Sequence, residues 1–179
     1  MKLKFIYLVI SAFLLFLIVG CSQQQTFETF FHEKMENMHI GEDDYFYKLV
    51  HKEFDVAHQN DALAVFKENN ERGEQMFIAY FEKEDNQWQW RQTRGAEWNS
   101  PVKWSSMNQT PFIYSGTISG NAISEVYAGD EPAKIINVEE GKRFWYAISP
   151  IKDVEVMVVK EDDTKEIIED INHEEVSSK

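Results

Sequence analysis

"MFIAYFEKEDNQWQWRQT", Met76 to Thr93, is the stretch that decides the fold. Met76 to Phe81 is the most apolar strand in the chain, Asp85-Asn86 a corner, and Trp88 to Thr93 the returning strand. Side chains alternate along a strand, so Trp88 and Trp90 share one face. Working upstream, Val56-Ala57-His58 and Ala62 to Phe66 flank Gln59-Asn60-Asp61, which reads as a hairpin turn. Asn69 to Gly73 is the next turn. Four strands in series predict an antiparallel meander.

Ahead of the meander the period changes. Phe27, Phe30, Phe31, Met35 and Met38 recur at three- and four-residue steps, which predicts an amphipathic helix over Glu28 to Met38. Ile40-Gly41 stops it. Asp43 or Asp44 is placed to cap a second short helix over Tyr45 to Glu53, whose facing the pattern leaves ambiguous.

Downstream lies "RGAEWNSPVKWSSMNQTP", Arg94 to Pro111, which shows no period and reads as a long loop. Such loops are usually functional or linkers, and two tryptophans argue against a linker. Short strands then resume at Phe112 to Ile118, Ala122 to Tyr127, Lys134 to Val138, Arg143 to Ser149 and Val154 to Lys160. Val154, Val156 and Val158 point one way, as do Phe144, Tyr146 and Ile148 on their strand. Turns every eight to twelve residues suggest a sandwich-like unit over 112–172. The expected class is α+β, mostly β: short N-terminal helices, an antiparallel meander within 27–111, then the sandwich-like unit. An acidic tail, 173–179, closes the chain.

The first residues say where the protein resides. Lys2 and Lys4 precede an uncharged run, Phe5 to Val19, in the layout of an export signal. Its fifteen residues fall short of the roughly 20 that a membrane helix needs. The run ends in Ile18-Val19-Gly20-Cys21, which resembles the lipobox of bacterial lipoproteins. The resemblance implies removal of residues 1–20, a diacylglyceryl group on the Cys21 sulfur, and a polar tether over 21–26. Cys21 is the sole cysteine, so no internal disulfide is available, and lipidation accounts for it. Two long acyl chains hold firmly where one exchanges.

The 18 basic residues fall to 16 once Lys2 and Lys4 leave, against 31 acidic ones, so the mature formal charge is −15. That sign argues against nucleic acid and against docking on anionic lipid through side chains. Motifs for chemistry are missing. His32-Glu33 begins a zinc pair, but Glu36 stands where the second histidine belongs. Gly116 to Gly120 places its serine one position late for a nucleophile elbow. Glu161-Asp162-Asp163 lacks a calcium loop's spaced oxygens. No metal, cofactor or catalytic residue is expected.

The feature that stands out is aromatic: Trp88, Trp90, Trp98 and Trp104, with Arg91 and Arg94 among them. Exposed together they would form a binding surface; as core packing they would only fill corners. The phrases "FIAYFEKEDNQWQWRQTRG" and "AKIINVEEGKRFWYAI" resemble small lipoproteins of low-GC Gram-positive bacteria, over most of residues 45–170. The resemblance supports the fold class and an envelope location, and implies no activity. The expected role is a lipid-anchored, non-catalytic binding or accessory protein on the outer face of the cell membrane. The alternatives are an envelope sensor or inhibitor that touches another protein, and a hydrolase with an unfamiliar site.

Overall fold

The computed structural model describes residues 25–42, 44–70, 73–98 and 104–168. The signal over 1–20, Cys21 with most of its tether, Asp43, and the tail at 173–179 lie outside the described residues. The chain is mostly β. Among the described residues, one helix, α1 (Phe27–Met38), precedes a first sheet of β1 (Phe46–Phe54), β2 (Asp61–Asn70), β3 (Gly73–Glu84) and β4 (Gln87–Glu97), paired in chain order. There follow β5 (Trp104–Ser106), β6 (Phe112–Ser119), β7 (Ile123–Ala128), β8 (Glu131–Pro132), β9 (Lys134–Glu139), β10 (Lys142–Ser149), β11 (Val156–Lys160) and β12 (Lys165–Ile168). They form a second sheet, β5-β6-β10-β9, and a third, β12-β11-β7-β8. All pairings are antiparallel.

The first sheet is apolar on both faces, so something must cover each. Thr26 caps α1 by accepting the Thr29 N–H at 3.2 Å, and Glu28 in the first turn suits the helix dipole. The capped helix lays Phe27, Phe30, Phe31 and Met35 on Ala62, Ala64 and Phe66 of β2 and Ala79 and Phe81 of β3. The alanines leave room for the rings, and Phe27 meets Phe81 edge-on at 5.0 Å. On the opposite face Leu63, Val65, Ile78 and Tyr80 share a core with Ile113, Phe144 and Tyr146 of the second sheet. The second sheet's other face, with Ile118, Trp145 and Ala147, shares a third core with Val126, Val156 and Val158 of the third sheet.

Three expectations need correction. Tyr45 to Glu53 is not a helix: Phe46–Phe54 is strand β1, paired with β2. Its ambiguous facing has a cause, a bulge between Leu49 and His51. Tyr47 and Leu49 face the helix, Val50 joins the second core, and beyond the bulge Phe54 faces the helix again. One extra residue breaks the alternation and imitates a mixed period.

Val56-Ala57-His58 is likewise no strand but an irregular turn. Asp61 holds it: its carboxylate accepts the N–H groups of Val56 at 2.7 Å, Ala57 at 3.0 Å and His58 at 2.7 Å. The long loop from Arg94 is shorter than expected, because Arg94 to Glu97 continue β4 and Trp104–Ser106 form β5 on the second sheet.

Gly95 sits where β4 passes Phe77, its cross-strand partner. A Cβ there would come within 2.9 Å of the Phe77 ring, so glycine is what lets the ring lie flat.

Asp61 is only 1% exposed and also accepts the Tyr80 hydroxyl at 3.0 Å. Asp61→Ala strands those donors and is expected to cost about 3 kcal/mol. Urea unfolding at neutral pH measures it; a loss under about 1 kcal/mol would mean the turn does not depend on this carboxylate.

Candidate functional site

The four tryptophans are shared among the three cores. Trp88, 8% exposed, and Trp90 lie together on the helix side of β4, as their alternation predicts. Trp90 stacks on Phe31 at 5.9 Å and donates its Nε1–H to Thr93 Oγ1 at 2.5 Å. Lys83 Nζ stands 5.5 Å from the Trp88 ring. Trp98 packs in the second core, beneath Lys142 Nζ at 5.0 Å. Trp104 packs against the third and donates to the Ile168 carbonyl at 2.8 Å. Arg91 pairs with Glu82 at 2.8 Å and with Glu84. Arg94 Nε donates to the Ser106 carbonyl at 2.7 Å, tying β4 to β5. The structure therefore brings Trp88 and Trp90 together and places Trp98 and Trp104 elsewhere.

The densest ionic chemistry lies where the first sheet meets the second. Glu53 Oε2 accepts from Lys134 Nζ at 2.6 Å and from the Tyr146 hydroxyl, with His51 Nε2 at 3.4 Å. Burial alone would raise the Glu53 pKa, but the donors, Lys134 foremost, outweigh it and hold it down at about 2. Burial, then Glu53 itself, raises Tyr146 far above the ordinary phenol value. A carboxylate that weakly basic is a poor proton acceptor at neutral pH, and such a phenol is a poor donor. The cluster works as a joint between sheets.

A second joint joins Lys67 and Glu74 at 2.7 Å, Glu74 and Lys142 at 2.9 Å, and Lys142 and Glu139 at 2.7 Å. The ion pair with Lys67, against opposing burial, lowers the Glu74 pKa.

The outer face of the third sheet carries an open groove. Val156 and Val158 of β11 point inward, which turns Met157 outward. Register places Met157 between Tyr127 and Ile167, and Tyr127 next to Pro132. Four apolar side chains thus form one row across the sheet, and Ile167 at its end is 60% exposed.

Over the middle of this row, at Tyr127 and Met157, lies the groove, of about 490 Å³, also lined by Ser124, Glu125, Gly129, Asp130, Val159, Asp163 and Lys165. That volume is in the range of ligand sites. Tyr127 donates its hydroxyl to Glu125 Oε2 at 2.7 Å, and this bond raises the phenol's pKa. Turns close the groove's two ends. Gly129 takes φ +60° and donates to the Glu155 carbonyl at 2.8 Å, and Asp162 Oδ1 accepts the Thr164 N–H at 3.0 Å.

None of these residues stood out as a site in the sequence. The readable signal was the inward alternation of Val156 and Val158, which leaves Met157 and Val159 on the other face. Strand β12, which completes the row, gave no signal because Lys165-Glu166 hide Ile167-Ile168. Among the described residues no group of three or more His, Cys, Asp or Glu side chains is placed to share a metal ion. Nor is any helix there long and apolar enough to cross a membrane.

The two joints carry a pH prediction. Glu53 has a folded pKa below its ordinary 4.5, so its contribution is complete above that value and is lost as pH falls towards about 2. Glu74, also lowered, acts in the same direction. Stability should therefore drop across this acid window in wild type and drop less in Glu53→Gln, as read by urea midpoints against pH. Parallel profiles for the two proteins would contradict the assignment.

The chain matches no protein family model, no curated protein and no solved structure.

Proposed function

We propose that the chain is a lipid-anchored, extracytoplasmic binding or accessory protein without catalysis, presenting the third sheet's outer face. The observation that carries this reading is the sole cysteine, Cys21, set directly after an apolar signal run and Ile18-Val19-Gly20. Gln25, where the described fold starts, is four residues on. At ~3.6 Å per residue the tether spans ~14 Å at most. Gln25 and Thr26 line a cavity of about 300 Å³ with Phe27, Phe54, Lys83 and Trp88, on the helix side of the first sheet. An anchored chain would keep this side near the bilayer. On this reading the third sheet, packed on the far side of the second, would face away from the bilayer.

The part from 112 to 168 reads as a sandwich-like unit on the strength of the core shared by the second and third sheets. Its partly exposed apolar row, with Ile167 and Pro132 open to solvent, also suits the reading of an envelope sensor or inhibitor acting by protein contact. Glu53 and Glu74 are lowered by donors in the sheet joints, and Asp162 beside the groove is lowered by its own turn bond from Thr164.

Cys21→Ala tests the anchor. The variant should accumulate as unprocessed precursor without the diacylglyceryl mass. Mature, membrane-bound protein in that variant contradicts the reading.

A further inference from the structure

We propose that the groove on the third sheet takes a basic, extended peptide segment bearing apolar side chains. The inference rests on reading this face as the binding face of the anchored protein. The floor supplies Tyr127 and Met157, side by side in register. Around them stand three carboxylates, Glu125, Asp130 and Asp163, against one lining cation, Lys165.

The carboxylates are distributed along a line. Asp130 follows the end of β7, Asp163 follows the end of its antiparallel partner β11, and Glu125 lies between. From Ser124 to Ala128 the strand covers roughly 13 Å, and Asp130 stands in the turn just beyond it. A somewhat longer segment can lie along the strands, press one apolar side chain on Tyr127 and Met157 together, and bring basic side chains to the carboxylates at both ends. With its hydroxyl already bonded to Glu125, Tyr127 offers its ring face to a cation.

Charge selects this occupant over the chain itself. Residues 169–179 carry Glu169, Asp170, Glu174 and Glu175 against Lys179, and a second mature copy brings a formal charge of −15. An acidic groove repels both.

The test is fluorescence anisotropy with full-length lipidated protein in neutral detergent. The probes are labelled peptides of seven residues alternating lysine with leucine, lysine with glycine, and glutamate with leucine. The lysine–leucine peptide should bind saturably, at least about tenfold tighter than either other, and weaken in high salt. Asp130→Lys and Glu125→Lys, both surface changes, should each weaken it about tenfold or more, while Glu33→Lys on α1 leaves it unchanged.

Equal binding of the lysine–glycine peptide would reduce the effect to net charge and overturn the proposal. So would full binding to the groove variants, no binding at all, or equal competition by tetramethylammonium, which would name a small cation instead. Anchoring is read separately, as the diacylglyceryl mass on the same preparation. Its absence would remove the anchor and leave the peptide result standing, whereas anchored protein that ignores the peptide loses only this ligand class.

Discussion

The structure depends on a sheet that cannot face water on either side. β2 alternates Ala62, Ala64 and Phe66 with Leu63 and Val65, and β3 carries an unbroken apolar run from Met76 to Phe81. Antiparallel sheets usually keep one face solvated. This one has to be covered twice, by α1 on one side and by the second sheet on the other. The second sheet inherits the same problem, because Trp145 and Ala147 alternate with Phe144 and Tyr146 along β10. The third sheet covers that second face, and its own outward side is where the stacking stops.

Polar groups adjust this layering. Glu53 with Lys134 and Tyr146, and Lys67 with Glu74, Glu139 and Lys142, connect the first sheet to the second beside their shared core. Ion pairs of this partly exposed kind add little stability each, but they suit only one arrangement of the two sheets. The tryptophans do related work at the seams. Trp104 donates to Ile168 on the third sheet, and Trp98 closes the second core beneath Lys142.

Much of this was legible in the sequence. The hairpin from Met76 to Thr93, the helix around Phe30 and Phe31, and five later strands all follow from period and turn chemistry. The misreadings have local causes. A bulge at Val50 disguised β1, the Asp61 carboxylate organised a turn where apolar Val56 and Ala57 suggested a strand, and charged residues masked β12. The groove stayed hidden because a site on a sheet face depends on register. Glu125 and Tyr127 of β7, Met157 and Val159 of β11 and Lys165 of β12 come together only when these strands pair.

Native-state amide hydrogen exchange, followed residue by residue, tests the doubly covered sheet most directly. The account predicts that the paired amides of Leu63 to Phe66 and of Met76 to Phe81 exchange last and together, through global unfolding, while β12 at an edge opens earlier. If those central amides exchange by a local opening, faster than the third sheet's, the first sheet is not the element on which the others rest.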